Sequence, residues 1–373
     1  MGYKTWCTSI IGVVIFILIG LFAALYIIDP IGMWGTPVYA GLNNYKEKQS
    51  VFLDVYKPFE LRRYKPDNIY IGTSRVYVGW YAEENAYNLG ASSLSLPDMK
   101  AYLHYAYSQH LPQKVYIGLD LFQFSKSSMT EKREGFSVER LQNLERGGLK
   151  AVDEAFTVNM GMWEQLKPTV KASCNHKEDS PVFVRGYCVQ RGDSTKVENN
   201  GYYDYLHSFY KTYTDFSFDP AALTCLQDIL SEARANGVEV ILFFNPIAVD
   251  LQAMQNICGV SDDYEKIKRE VARMHPVYDF AWCSPLTLDR EDNWIDGSHY
   301  HRRTGEKLKS VINNQMDESI CKILTVDSVD EALKAEREKY QVWEGKNEKY
   351  IAELTLLAPE KIKEGSLVEF LGF

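Results

Sequence analysis

The chain has 373 residues, 46% hydrophobic and 24% charged, with a formal net charge of −9. That is enough apolar material for one large domain with insertions or two modest ones. The acid excess comes without any basic block, so there is no electrostatic footprint for nucleic-acid binding.

From Ile10 to Ile28 the sequence carries no charge, which matches a helix crossing roughly 30 Å of hydrocarbon. A cleaved signal peptide has a shorter apolar region with a small-x-small site close behind it. The nearest such triplet here, Val38-Tyr39-Ala40, stands well past the run. The reading is an uncleaved transmembrane signal anchor over residues 9–28, with a short cytoplasmic N-terminus over 1–8. Lys4 before the span and Asp29 after it orient the main domain to the periplasmic or extracytoplasmic side of an inner or plasma membrane. Cys7 then faces the cytoplasm, and Cys174, Cys188, Cys225, Cys258, Cys283 and Cys321 lie beyond the span. An oxidising compartment permits disulfides, and Cys174–Cys188 and Cys258–Cys283 are the pairs expected, with buried free thiols as the alternative.

Residues 29–66 form a membrane-proximal segment. An α/β rhythm then begins, expected over 67–317, in which short apolar runs alternate with amphipathic stretches. Ile69–Gly72 is the first run, Tyr87–Gly90 the second and Lys114–Asp120 the third. Between the last two, Met99–His110 is helical in pattern, with Tyr102, Leu103, Ala106 and Tyr107 on one face. The rhythm fades over an insertion at about 125–217, rich in charge, Gly, Ser and Tyr. That insertion is either a lid over the strand ends or an excursion without chemistry. The rhythm returns with the stripe Leu223, Leu226, Ile229, Leu230 and Ala233, a stop at Asn236-Gly237, and the strand Val238–Phe244. Another helix is expected from Asp263 to Met274, and residues 318–373 read as a charged C-terminal tail. Helices interleaved with strands predict a mostly parallel sheet, with the site at the strands' carboxyl ends, where Ser74, Gly90, Asp120 and Asn245 fall.

Ser74 sits in the tight turn Gly72-Thr73-Ser74-Arg75. A strand-end turn can lift a hydroxyl out of the sheet as a nucleophile, although Gly and Ser also make ordinary turns. A serine needs a base, usually a histidine oriented by a carboxylate. One of the seven histidines has an evident orienter three residues before it, in Asp296-Gly297-Ser298-His299. The bland alternative is an Asp capping a helix that includes Thr304–Leu308. His299 and His301 with nearby acids offer a third reading, a metal site, which is weak for want of further close histidines.

Taken in order, these blocks resemble the SGNH (GDSL-like) hydrolase superfamily, of the membrane-anchored, envelope- or exopolysaccharide-associated type. Gly72-Thr73-Ser74 stands where that family has Gly-Asp-Ser, Asn88-Leu89-Gly90 matches the glycine block, and Asp296 with His299 matches Asp-x-x-His. The resemblance covers roughly residues 66–125 and 219–312. It implies a three-layer αβα fold with Ser74 as nucleophile, His299 as base and Asp296 as its partner. The backbone N–H groups of Ser74 and Gly90 would form an oxyanion hole, each donor being worth about 2.7–4 kcal/mol. The sequence departs from the pattern twice. Thr73 replaces a non-reacting Asp, and Asp120 occupies the place of an oxyanion-donating Asn. An ionised aspartate cannot donate there. Asp120 is therefore protonated, or turned elsewhere, or the hole relies on backbone donors, or the domain is silent.

Arg75 either binds an anionic substrate group or pairs with a structural carboxylate such as Asp120. Tyr77, Trp80 and Tyr81 either line a sugar platform or pack in the core. The resemblance implies a serine esterase or O-acyltransferase that needs no metal or cofactor. It would act on acyl groups of cell-envelope or secreted polysaccharide, with the membrane and envelope biosynthesis proteins as partners. The alternative is an inactive polysaccharide-binding or scaffolding subunit.

Overall fold

The computed structural model describes residues 2–176, 182–194 and 199–359. Parts of the expected insertion (177–181 and 195–198) and the end of the expected tail (360–373) lie outside the described residues. Two compact units are present. One comprises Met1–Lys65, Ser108–His110 and Arg133–Val184, and the other Pro66–Tyr107, Leu111–Lys132 and Arg185–Phe373.

The second unit is α/β. Its sheet has six strands: β1 (Asn68–Ile71), β2 (Ala86–Asn88), β3 (Lys114–Leu119), β4 (Glu239–Phe244), β5 (Val277–Asp279) and β6 (Lys322–Leu324). They lie in the order β2-β1-β3-β4-β5-β6, parallel throughout except for β6, which runs antiparallel to β5. Successive connections leave β1 first to one side and then to the other, so the carboxyl ends of β1 and β3 flank a topological switch point. Open parallel sheets place their binding crevices there. β6 lies beyond residue 317, within the segment read as tail.

The helices follow the expected apolar patterns. Helix Leu96–Gln109 buries Met99, Tyr102, Leu103, Ala106 and Tyr107. Helix Pro220–Ala235 starts on the Asp219 cap, whose carboxylate accepts the Ala221 N–H at 3.0 Å. It buries Leu226, Ile229, Leu230 and Ala233, and Gly237 turns out of it with φ +69°.

In the first unit, helix Tyr3–Ile28 is long and apolar enough to cross a membrane. None of the seven cysteines is in a disulfide, so neither expected pair forms. Cys258 Sγ lies against Tyr210 O and Thr214 Oγ1, whereas Cys283 is buried in a cluster with Val249 and Tyr340. Cys174 Sγ donates to Gly41 O at 3.1 Å, and Cys188 is a buried thiol.

Candidate active site

β1 ends at Ile71, and Gly72 and Thr73 turn the chain into the short helix Ser74–Gly79. Ser74 is therefore the first helical residue past a strand's carboxyl end. It is half-buried between fully buried neighbours, and its backbone N–H has no protein acceptor among the described residues.

The Asp296–His299 pair forms as the spacing suggests. His299 Nδ1 lies 2.9 Å from both carboxylate oxygens of Asp296. One of those oxygens also accepts the backbone N–H of Ser298 (2.7 Å) and of His299 (2.9 Å), which locks the turn. His299 Nε2 is buried without a hydrogen-bond partner. It therefore makes no bond to Ser74 Oγ in this conformation; apo sites often leave this bond long until substrate tightens it. Burial acts to raise the Asp296 pKa, but His299 and Arg191 outweigh it and hold the carboxyl at about 2. Burial lowers the His299 pKa, and Arg191 and Arg75 add to that against the pull of Asp296. At neutral pH the ring is thus neutral, the form a general base requires.

Arg75 brings the two halves together. Its Nε donates to Ser298 O at 2.9 Å, so the residue after Ser74 is bonded to the residue before His299. Its Nη1 forms a buried ion pair with Asp120, and its guanidinium lies 5.2 Å from the Phe209 ring centroid. Arg75 is thus tied to a structural carboxylate, the second of the two roles weighed for it. The other Asp120 oxygen accepts from Thr73 Oγ1 (2.6 Å) and Asn245 Nδ2 (3.2 Å). Asn245 Oδ1 in turn accepts from Tyr300 OH at 2.9 Å, and Tyr300 OH accepts from Trp80 Nε1 at 3.0 Å. Asp120 is therefore the hub of a polar network under the strand ends, where the family pattern has an oxyanion donor.

Close approach is built into the same region. A Cβ on Gly79 would meet the Tyr300 ring at 2.0 Å, and one on Gly305 would meet Gly79 O at 1.8 Å. Only glycines let helix Ser74–Gly79 lie this close to the segment that carries His299.

Gly90, the expected second oxyanion donor, gives its N–H to Asn88 Oδ1 at 2.9 Å. Trp80 is fully buried and stacked on Phe243, with centroids 4.4 Å apart, and Tyr77 is buried as well. Both are core rather than platform. Tyr81 is half-buried and stands between Arg185 and Arg302.

Two site residues come from the expected insertion and carry no sequence signal. Arg191 donates to Asp296 Oδ2 and, at 3.1 Å, to Tyr205 OH. The Tyr205 ring meets His299 edge-on, with centroids 5.2 Å apart. On helix Asn199–Thr214, Tyr205, Phe209 and Tyr213 recur every four residues. Tyr205 touches His299, Phe209 touches Arg75, and Tyr213 OH accepts from Gln255 Nε2 at 3.3 Å. One helix face therefore roofs the dyad and its arginine.

His301 joins no group of three or more His, Cys, Asp or Glu side chains arranged for a metal ion among the described residues. A cavity of about 280 Å³ elsewhere in the unit, lined by Gln252, Lys268, Trp282, Glu336 and Tyr340 among others, shares no residue with the dyad. Comparison with known proteins gives no matching family model and no matching curated protein.

Proposed function

We propose that the second unit is an SGNH-type acyl-transfer domain with the superfamily's three-layer αβα arrangement. In this reading the helix Tyr3–Ile28 anchors it to an inner or plasma membrane, with the domain on the extracytoplasmic side. The observation that carries the reading is the Arg75–Ser298 bond, which joins the strand-end serine turn to an Asp296-oriented, neutral His299. Ser74 Oγ attacks the ester carbonyl of an acylated envelope or secreted polysaccharide, and His299 Nε2 takes the serine proton. The imidazolium, stabilised by Asp296, returns that proton to the departing sugar alkoxide and leaves an acyl group on Ser74. Water or a second sugar hydroxyl then takes the acyl group by the same steps in reverse. The Ser74 N–H supplies one oxyanion donor.

A second reading, an inactive glycan-binding or scaffolding domain, draws support from two contacts. The Gly90 N–H is spent on Asn88, and Asp120 is spent on Arg75. Labelling the full-length chain with a serine-reactive fluorophosphonate separates the two. Acyl transfer predicts labelling of wild type that Ser74→Ala abolishes. Absence of labelling, or equal labelling of Ser74→Ala, refutes the enzyme and leaves the binding domain.

A further inference from the structure

The first unit carries an apolar surface that its own fold leaves uncovered. Helix Tyr3–Ile28 stops at Asp29, which takes φ +45° and accepts the backbone N–H of Trp34 (3.1 Å) and Gly35 (2.9 Å). That tight turn folds Trp34 back onto the helix end. Its ring lies 6.1 Å from Phe22 and 5.6 Å from Tyr26. Trp34 Nε1 then donates to Asn159 Oδ1 at 2.7 Å, on the helix Gly148–Gly161. Phe156 of that helix stacks on Phe22, with centroids 6.1 Å apart and planes 16° from parallel. Two separate contacts thus fix helix Gly148–Gly161 against the last turns of the N-terminal helix.

Helix Gly148–Gly161 buries Ala151 and Val158 on one face, and Asn159 near its C-terminal end. The other face presents Leu149, Val152 and Phe156, exposed by 88%, 64% and 51%. Positions separated by three, four and seven residues share one side of a helix. Trp163, just past its end, is 55% exposed. Val38 and Tyr39 are exposed too, on a loop that Asn43 Nδ2 ties to Ile27 O at 2.9 Å. A run of large apolar side chains in contact with water is uncommon unless something covers it.

Depth identifies the cover. Phe22 lies six residues before Ile28, which at 1.5 Å per residue is about 9 Å inside the end of the apolar run. Interfacial helices sink their apolar face about 5–10 Å into the boundary between headgroups and acyl chains. The stripe is also continuous, through the Phe22–Phe156 stack, with a helix whose own outward residues Ile15, Phe16 and Ile19 are bare. Tyr39 and Trp163 are the residue types that gather at such a boundary.

We propose that helix Gly148–Gly161 lies in the membrane interface beside the span, with Leu149, Val152 and Phe156 in contact with lipid acyl chains. This rests on the reading of Tyr3–Ile28 as a membrane span. The test uses the full chain in phosphatidylcholine vesicles that include a phosphatidylcholine with a photoactivatable diazirine in its acyl chain. Lipid adducts are mapped by mass spectrometry. Adducts are expected on residues 3–28 and on 148–163, and Leu149→Glu with Val152→Glu lowers the second set at least ten-fold while sparing the first. Adducts on 3–28 with none on 148–163 overturn the inference and leave the span standing, as do protein–protein crosslinks from 148–163 in their place. Adducts on neither segment overturn the span and the inference together.

Discussion

Replacing Asp120 with Asn restores the residue type that the acyl-transfer pattern has after its third strand, and a simple view of the pattern expects a gain of activity. The geometry predicts the reverse. One Asp120 oxygen faces the Arg75 guanidinium, and the other faces two donors, Thr73 Oγ1 and Asn245 Nδ2. An asparagine must put its NH₂ in one of those two places, so donor meets donor in either rotamer. The side chains of Arg75 and Asp120 are 2% and 1% exposed, so water cannot relieve the mismatch. Removing one member of a buried pair costs about 3–5 kcal/mol, and each kcal/mol shifts Tm by about 2–4 °C in a domain of some 150–250 residues. Asp120→Asn should therefore melt roughly 6–20 °C below wild type. It should also label more slowly with fluorophosphonate, because Arg75 is what holds Ser298 beside the serine turn. Calorimetry of the full chain together with labelling rates checks both points. In a double-mutant cycle, Arg75→Met combined with Asp120→Asn should lose less than the sum of the singles. A wild-type melting temperature for Asp120→Asn, or faster labelling, refutes the anchoring role.

The remaining expectations follow from individual contacts. Because burial lowers the His299 pKa, the neutral base persists below the ordinary imidazole value of about 6.5. Labelling at Ser74 should therefore reach half its maximum below that pH, and a midpoint at or above it contradicts the assignment. Arg191 helps to lower that pKa, so Arg191→Gln should move the midpoint upward; no shift means the guanidinium is not felt at the ring. Gly79→Ala drives a methyl into the Tyr300 ring, which Asn245 and Trp80 pin. It should cost about 1–3 kcal/mol as overpacking, read as a lower urea midpoint. Burial raises the Glu336 pKa to about 8, with Asp279 adding to it against Lys268. Folding then takes up a proton between the ordinary carboxyl value of about 4.3 and 8, and stability falls as pH rises through that window. Glu336→Gln should flatten this slope, and equal urea-midpoint losses from pH 6 to pH 9 in variant and wild type rule it out.

What the sequence reveals and conceals divides along physical lines. β1, β3 and β4 are runs of β-prone apolar residues followed by Gly72, Asp120 and Asn245, and each lies within a residue or two of its expected place. β5 and β6 have three residues each, too few for any periodicity to register, so the antiparallel edge strand reads as the start of a tail. Asp296 and His299 are legible because the contact is local, three residues apart on one turn. Arg191 and Tyr205 are not, because they reach the dyad through tertiary packing from a stretch whose composition shows only charge and tyrosine. Trp80 and Tyr77 follow the serine turn closely enough to suggest a platform, but helix Ser74–Gly79 turns them into the core, where Trp80 stacks on Phe243.

Asp120 is the sharpest case, because residue type and position each point to a different role. Position after the third strand marks it as an oxyanion donor, and chemistry forbids a carboxylate from donating. The conflict dissolves once Arg75 is seen on the same carboxylate: Asp120 braces the serine turn through Arg75 and Thr73. In the acyl-transfer reading, oxyanion stabilisation then falls to backbone groups. The Ser74 N–H is available, whereas the Gly90 N–H is held two residues back by Asn88 Oδ1. Asn88 in turn is fixed through Nδ2 to Val76 O (3.0 Å) and Trp80 O (2.8 Å). Acyl transfer with a two-donor hole thus requires the Asn88–Gly90 turn to give up one hydrogen bond on substrate binding while the other two keep Asn88 in place. The exchange swaps one acceptor for a charged one, and hydrogen bonds to charged groups are the stronger. Asn88→Ala removes the Oδ1 acceptor of the Gly90 N–H but also removes both braces. Faster labelling in that variant would locate the barrier in this one bond, and slower labelling would show that the braces matter more than the donor.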